Sequence, residues 1–153
     1  MRKLFVITCL GMAWALLVPA RAMAQSASVS ADPNPFYYSQ YVGVSAEIDD
    51  GFPWWCDEEA GCYLSWAYAY ISVTSSDGYY DEGEADDLSA SCCGTSDPSP
   101  GQNMQATTYY AHGSVTMEFW YCNEKGDCSE DTWSDSADAQ TTIQPESVFS
   151  VSR

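Results

Sequence analysis

Basic residues are almost missing from this chain: five lysines and arginines stand against 22 aspartates and glutamates. A surface of that sign repels phosphate backbones and anionic headgroups, so nucleic acid and acidic membrane surfaces are excluded as partners. Cations and cationic proteins remain. Histidine is scarcer still, with His112 alone. Nucleophilic catalysis needs a base oriented by an acid beside a nucleophile, and no GxSxG motif accompanies this histidine. His112 precedes Gly113 at an expected strand connection and reads as a solvated loop residue. Carboxylates are abundant enough for a glycosidase pair, but nothing marks two of them as facing each other across a sugar. The chain is therefore expected not to be an enzyme. No segment has the apolar period of an amphipathic helix, and no apolar run reaches the roughly 18 residues of a membrane span.

The longest apolar run, Leu4 to Val18, follows Arg2 and Lys3 and precedes Ala22-Met23-Ala24. This order of charged, apolar and small residues is that of a secretory signal peptide, with the cut between Ala24 and Gln25. The expected organisation is a signal peptide over 1–24, one domain over 25–145 and a C-terminal tail over 146–153. Processing leaves Lys125 and Arg153 against all 22 carboxylates, a formal charge of −20. The expected location is secreted or periplasmic, with no membrane insertion of the processed chain.

Paired CxxC spacings are also lacking, which removes the usual zinc arrangements. Cys9 leaves with the signal peptide, and Cys56, Cys62, Cys92, Cys93, Cys122 and Cys128 remain. An even number in a short exported chain reads as a disulfide framework.

What is present is alternation with a period of two, the mark of half-buried strands. Asp32-Pro33-Asn34-Pro35 is an extended bend, and Tyr41 to Asp49 follows as a strand with Val42, Val44, Ala46 and Ile48 on one face. Cys62 to Ser75 puts Leu64, Trp66, Tyr68 and Tyr70 on one face and Ala67, Ala69, Ile71 and Val73 on the other. Pattern alone does not say which is buried. Ser76 to Asp87 reads as an acidic turn, and Leu88 to Cys93 as a short strand. Met104 to Ala111 and Ser114 to Cys122 read as two strands separated by His112-Gly113, the second with Val115, Met117, Phe119 and Tyr121 together. Glu124-Lys125-Gly126 makes a hairpin with glycine at the left-handed position, and a return strand runs from about Ser129 to Ile143. About seven short strands at this spacing predict two antiparallel sheets packed face to face.

The opening SVSADPNPFYYSQYVGVSAEI and the later TYYAHGSVTMEFWYCNEKGDCS resemble the first and last strands of bacterial immunoglobulin-like and PKD-type extracellular domains. The resemblance implies an all-β, immunoglobulin-like β-sandwich, but the family hosts too many roles to imply one function. In that strand order the Cys56/Cys62 loop, the turn after Cys92-Cys93 and the Cys122/Cys128 hairpin share one end. Purely local pairing would join Cys92 to Cys93, whose Cα atoms stand about 3.8 Å apart against the ~4.4–6.8 Å a disulfide prefers. The expectation is Cys122 with Cys128, and Cys92 and Cys93 reaching Cys56 and Cys62 to pin the intervening loop onto the sandwich.

Two sets of side chains are candidates for a site. Trp54 and Trp55 lie in a Pro- and Asp-rich loop and Tyr79 and Tyr80 at an acidic turn, where rings could stack on sugars or anchor a protein. Asp77, Asp81, Glu82, Glu84, Asp86 and Asp87 supply hard oxygens, and calcium is the cofactor such oxygens would suit. Their spacing does not follow the EF-hand pattern, and they also serve as a solvated acidic surface. The expected function is an exported binding or adhesion module acting through its stapled loop end on an extracellular protein or glycan. The alternative is a carbohydrate-binding β-sandwich that uses its loop aromatics.

Overall fold

Alternation in the sequence becomes extended backbone over most of the chain. The computed structural model describes residues 25–53, 55–99 and 104–147. The signal peptide expected over 1–24, Trp54 and the last part of the expected tail, 148–153, lie outside the described residues. The strands are β1 (Ser26–Asp32), β2 (Val42–Asp49), β3 (Cys62–Ser75), β4 (Tyr80–Ala85), β5 (Ser89–Cys92), β6 (Thr95–Ser96), β7 (Thr107–Cys122) and β8 (Cys128–Ile143). They form two antiparallel sheets, one ordered β1-β2-β5 with β6 also on β2, the other β4-β3-β7-β8.

The apolar halves of the alternations meet between the sheets. Val42, Val44, Ala46 and Ile48 of β2 are buried with Ala67, Ala69, Ile71 and Val73 of β3 and Val115, Met117 and Phe119 of β7. Phe36, fully buried after the proline bend, bridges to Pro145 and seals one side. Expected strands and observed strands coincide closely for β2, β3 and β8.

Three expectations are corrected. His112-Gly113 is not a connection, because β7 runs unbroken through it. A Cβ on Gly113 would lie 2.8 Å from the Ile48 side chain of the facing sheet, so the glycine serves close sheet approach and not a turn. The acidic segment before Leu88 is not a turn throughout, since Tyr80–Ala85 pairs with β3 as an edge strand.

The third correction concerns the disulfides, which join Cys56 to Cys62, Cys92 to Cys93 and Cys122 to Cys128. Cys56 and Cys62 flank a short 3-10 turn, Glu58–Ala60, closed by Gly61 in the left-handed region. Gly61 sits against the Cys122 backbone, so these two bridges share one end of the molecule. Cys92 does not join them. It packs beside Gly83, whose partner on β3 is Ile71. Nine residues of strand separate Ile71 from Cys62, roughly 30 Å at ~3.3 Å per residue, far beyond disulfide reach.

Candidate functional site on the outer face of the four-stranded sheet

Which face of β3 meets solvent is decided by one irregularity. The β3–β7 register shifts between Leu64 and Trp66: Leu64 stands opposite buried Phe119, and Trp66 opposite Glu118. Ser65 is the extra residue, and its hydroxyl donates to the Glu118 carbonyl at 2.9 Å. A bulge of this kind re-aims the side chains that follow it. Leu64 therefore points inward, while Trp66, Tyr68 and Tyr70 point outward with alanines behind them. The single face expected to carry all four is split.

The outward residues form an aromatic row. Trp66 is 41 % exposed, and its ring stacks on Tyr68 with centroids 5.9 Å apart and planes within 9°. Tyr68 donates to the Glu84 carboxylate at 2.5 Å and Tyr70 to the Glu82 carboxylate at 2.7 Å. Tyr80, 57 % exposed on β4, donates to the same Glu82 carboxylate. These bonds push the Tyr68 phenol up to about 12, first through Glu84. They raise Tyr80 and lower Glu82, so at neutral pH the phenols are neutral and Glu82 is charged. Tyrosine rings held by their hydroxyls lose less freedom when a ligand lies on them. Tyr63 and Trp120, cross-strand partners and both exposed, carry the row to the end closed by Cys56–Cys62 and Cys122–Cys128.

A second feature of this face is polar. His112 Nδ1 lies 2.7 Å from Asp138 Oδ1 across β7 and β8, and Ser72 is the partner of His112 on β3. With Thr74, Tyr110 and Gln140 they line an open groove of about 510 Å³. The order Ser72, His112, Asp138 has the composition of a catalytic triad. Its environment differs, because the His112 and Asp138 side chains are 58 % and 82 % exposed, whereas the orienting acid of a triad is buried. The groove offers hydroxyl, amide, imidazole and carboxylate groups to a polar ligand.

The residues named from sequence are distributed unevenly. Trp55 is half-buried, edge-on to Phe119 at 4.7 Å and stacked on Tyr121 at 6.1 Å, so it caps the core under the stapled loop. Tyr79 packs edge-on against buried Tyr109, and its hydroxyl donates to Asp81 at 3.1 Å and accepts from the Gly94 amide at 3.3 Å. Tyr80 alone of the described candidates joins the exposed row. Asp77 lies in the β3–β4 turn, bonded to Ser75, and Asp86 and Asp87 follow β4. Along β4, Glu82 and Glu84 project outward while Asp81 takes the other side, so the strand pleat parts these carboxylates. Among the described residues no three His, Cys, Asp or Glu side chains gather around a common metal position. Beside Cys92–Cys93, a larger groove of about 690 Å³ is lined by Ser28, Ser30, Ser45 and Glu47 with Asp81 and Glu82.

The alternation WAYAY holds the row Trp66, Tyr68 and Tyr70 but does not disclose its exposure. Pairing with β7 is the signal that would have found it, since Ser114, Thr116 and Glu118 are the polar half of that strand and lie beside these rings. Comparison with protein-family models, curated proteins and solved structures returns no match to this chain.

Proposed function

We propose that the processed chain is an exported, non-enzymatic immunoglobulin-like binding module that takes a neutral glycan across the outer face of β4-β3-β7-β8. The observation that carries this reading is the exposed, parallel stack of Trp66 on Tyr68, continued by Tyr70 and Tyr80 with hydroxyls held by glutamates. Flat rings in a row suit the apolar faces of successive sugars, and the Glu82, Glu84, Ser114 and Thr116 groups beside them can bond sugar hydroxyls. Lys125, at a hairpin tip, is the only lysine or arginine from 25 to 147, which disfavours anionic polysaccharides.

The strand order supports the immunoglobulin-like assignment. On this reading the order β1-β2-β5 corresponds to strands A, B and E of such a sandwich, and β8-β7-β3-β4 to G, F, C and C′. Three cysteine pairs at bonding distance support an oxidising, extracellular or periplasmic setting. The reading keeps the stapled end, where Tyr63 and Trp120 stand, but moves the weight of binding onto the sheet. A glycan array probed with the processed protein tests it. Binding to neutral oligosaccharides that disappears in Trp66→Ala supports the reading; binding confined to proteins, or unaffected by Trp66→Ala, sinks it.

A further inference from the structure

The carboxylate of Asp50 is the most anomalous polar group in the fold. Asp50 follows β2 on its inward-facing side and is 1 % exposed, and neither side-chain oxygen finds a hydrogen-bond partner among the described residues. Burial raises its carboxyl to about 6, with the negative charges of Asp135 and Asp49 adding to the effect. A buried, unpartnered carboxylate is a costly arrangement, and a protein retains one where a partner arrives. Among the described residues no side-chain cation serves: Lys125 is at the exposed β7–β8 hairpin tip, and His112 is engaged with Asp138.

The strand register indicates where a partner comes from. β1 and β2 pair as far as Ser26 opposite Asp49, and one step further Gln25 comes opposite Asp50. Facing residues in an antiparallel pair have Cα atoms roughly 5 Å apart and share a face. The Gln25 carboxamide is buried there too, with both its oxygen and its nitrogen unpartnered among the described residues. Gln25 is also the residue that the sequence places immediately after the signal-peptide cut. Two independent observations thus fall on one position.

We infer that the α-ammonium group created at Gln25 by signal-peptide removal is the counter-ion of Asp50, so that export processing completes the open end of the core. Hydrolysis by an export endopeptidase adds water across the Ala24–Gln25 peptide bond. Ala24 leaves with the new carboxylate, and Gln25 keeps the nitrogen as an amine that takes up a proton. The ammonium gives the Asp50 oxygens donors that a continuous chain cannot give. This inference rests on the export reading above but not on the ligand.

The test uses the full precursor, exported and processed, in four forms: with and without Gly-Ser inserted between Ala24 and Gln25, each with Asp50 or Asp50→Asn. Intact mass identifies the first residue of each product, and thermal unfolding gives its Tm. The expected result is a chain starting at Gln25 whose Tm falls by on the order of 10 °C on insertion when Asp50 is present and by under about 2 °C when residue 50 is Asn. A first residue other than Gln25 overturns the inference and the cut site together. A chain that starts at Gln25 but loses the same Tm in both backgrounds overturns the pairing and leaves export standing. Loss of ammonia through cyclisation of the terminal glutamine, or a calcium-dependent Tm rise that needs Asp50, would also refute the ammonium as the partner.

Discussion

Truncating Trp66 to alanine removes one ring of the parallel stack, and the structure sets the size of the effect. A tryptophan side chain offers about 150–250 Å². With 41 % of the residue exposed, about 60–100 Å² is open to a ligand. At ~25 cal/mol per Å², covering that area contributes about 1.5–2.5 kcal/mol, so Trp66→Ala should weaken binding roughly 10- to 70-fold. The remaining part of the side chain, about 90–150 Å², is already covered by neighbours such as Tyr68, so the same coefficient puts the loss of unfolding stability at about 2–4 kcal/mol. Isothermal titration with the best neutral oligosaccharide from the array gives the first quantity, and urea unfolding the second. Trp55→Ala is the contrasting variant: it should cost about 3 kcal/mol of stability through lost contact with Phe119 and Tyr121, with affinity of the folded protein unchanged. Affinity retained within about twofold in Trp66→Ala, or lost only in Trp55→Ala, would refute the assignment of the site to the outer face.

Other consequences are as direct. Gly113→Ala forces a Cβ to 2.8 Å from Ile48 and should destabilise by about 1–3 kcal/mol, read as a lowered Tm; an unchanged Tm would mean that the sheets yield there. Non-reducing peptide mapping should recover Cys56–Cys62, Cys92–Cys93 and Cys122–Cys128, and replacing Cys56 and Cys62 by serine should cost about 2 kcal/mol in urea unfolding, as expected for so short a closed loop. In the Gly-Ser-extended chain, Asp50 keeps a carboxyl raised to about 6. Because the folded value lies above the ordinary one, its stabilising contribution is full below about pH 4 and is lost as pH rises through about 6; Asp50→Asn should flatten that part of the Tm–pH profile.

Much of the fold is legible in the sequence because period-two alternation and turn chemistry are local. β2 and β8 follow from their own residues, and the Gly126 hairpin follows from its glycine. What the sequence hides is set by contacts between distant strands. Gly113 looks like a turn because its reason for being glycine, Ile48, lies in the other sheet. Cys92 looks close to Cys62 until strand pairing puts it beside Gly83. The acidic stretch looks like a loop because an edge strand with a solvated face needs few apolar residues. Trp55 and Tyr79 draw attention as loop aromatics, yet in a small domain such rings close the core from above. The exposed rings instead come from a strand whose two faces are both apolar enough to be buried.

The bulge at Ser65 gives that strand a parity. In extended chain every residue is odd or even with respect to the core, and one inserted residue exchanges the two classes for all that follow. Were Ser65 held in the ladder instead of bulged out of it, strict alternation from buried Leu64 would send Trp66, Tyr68 and Tyr70 into the space now filled by Ala67, Ala69 and Ile71. That space, between sheets about 10 Å apart, has no room for three large rings. The bulge therefore determines whether the same string of aromatics is a surface or a steric impossibility, and an extra residue leaves the outer face intact only where the ladder lets it stand aside.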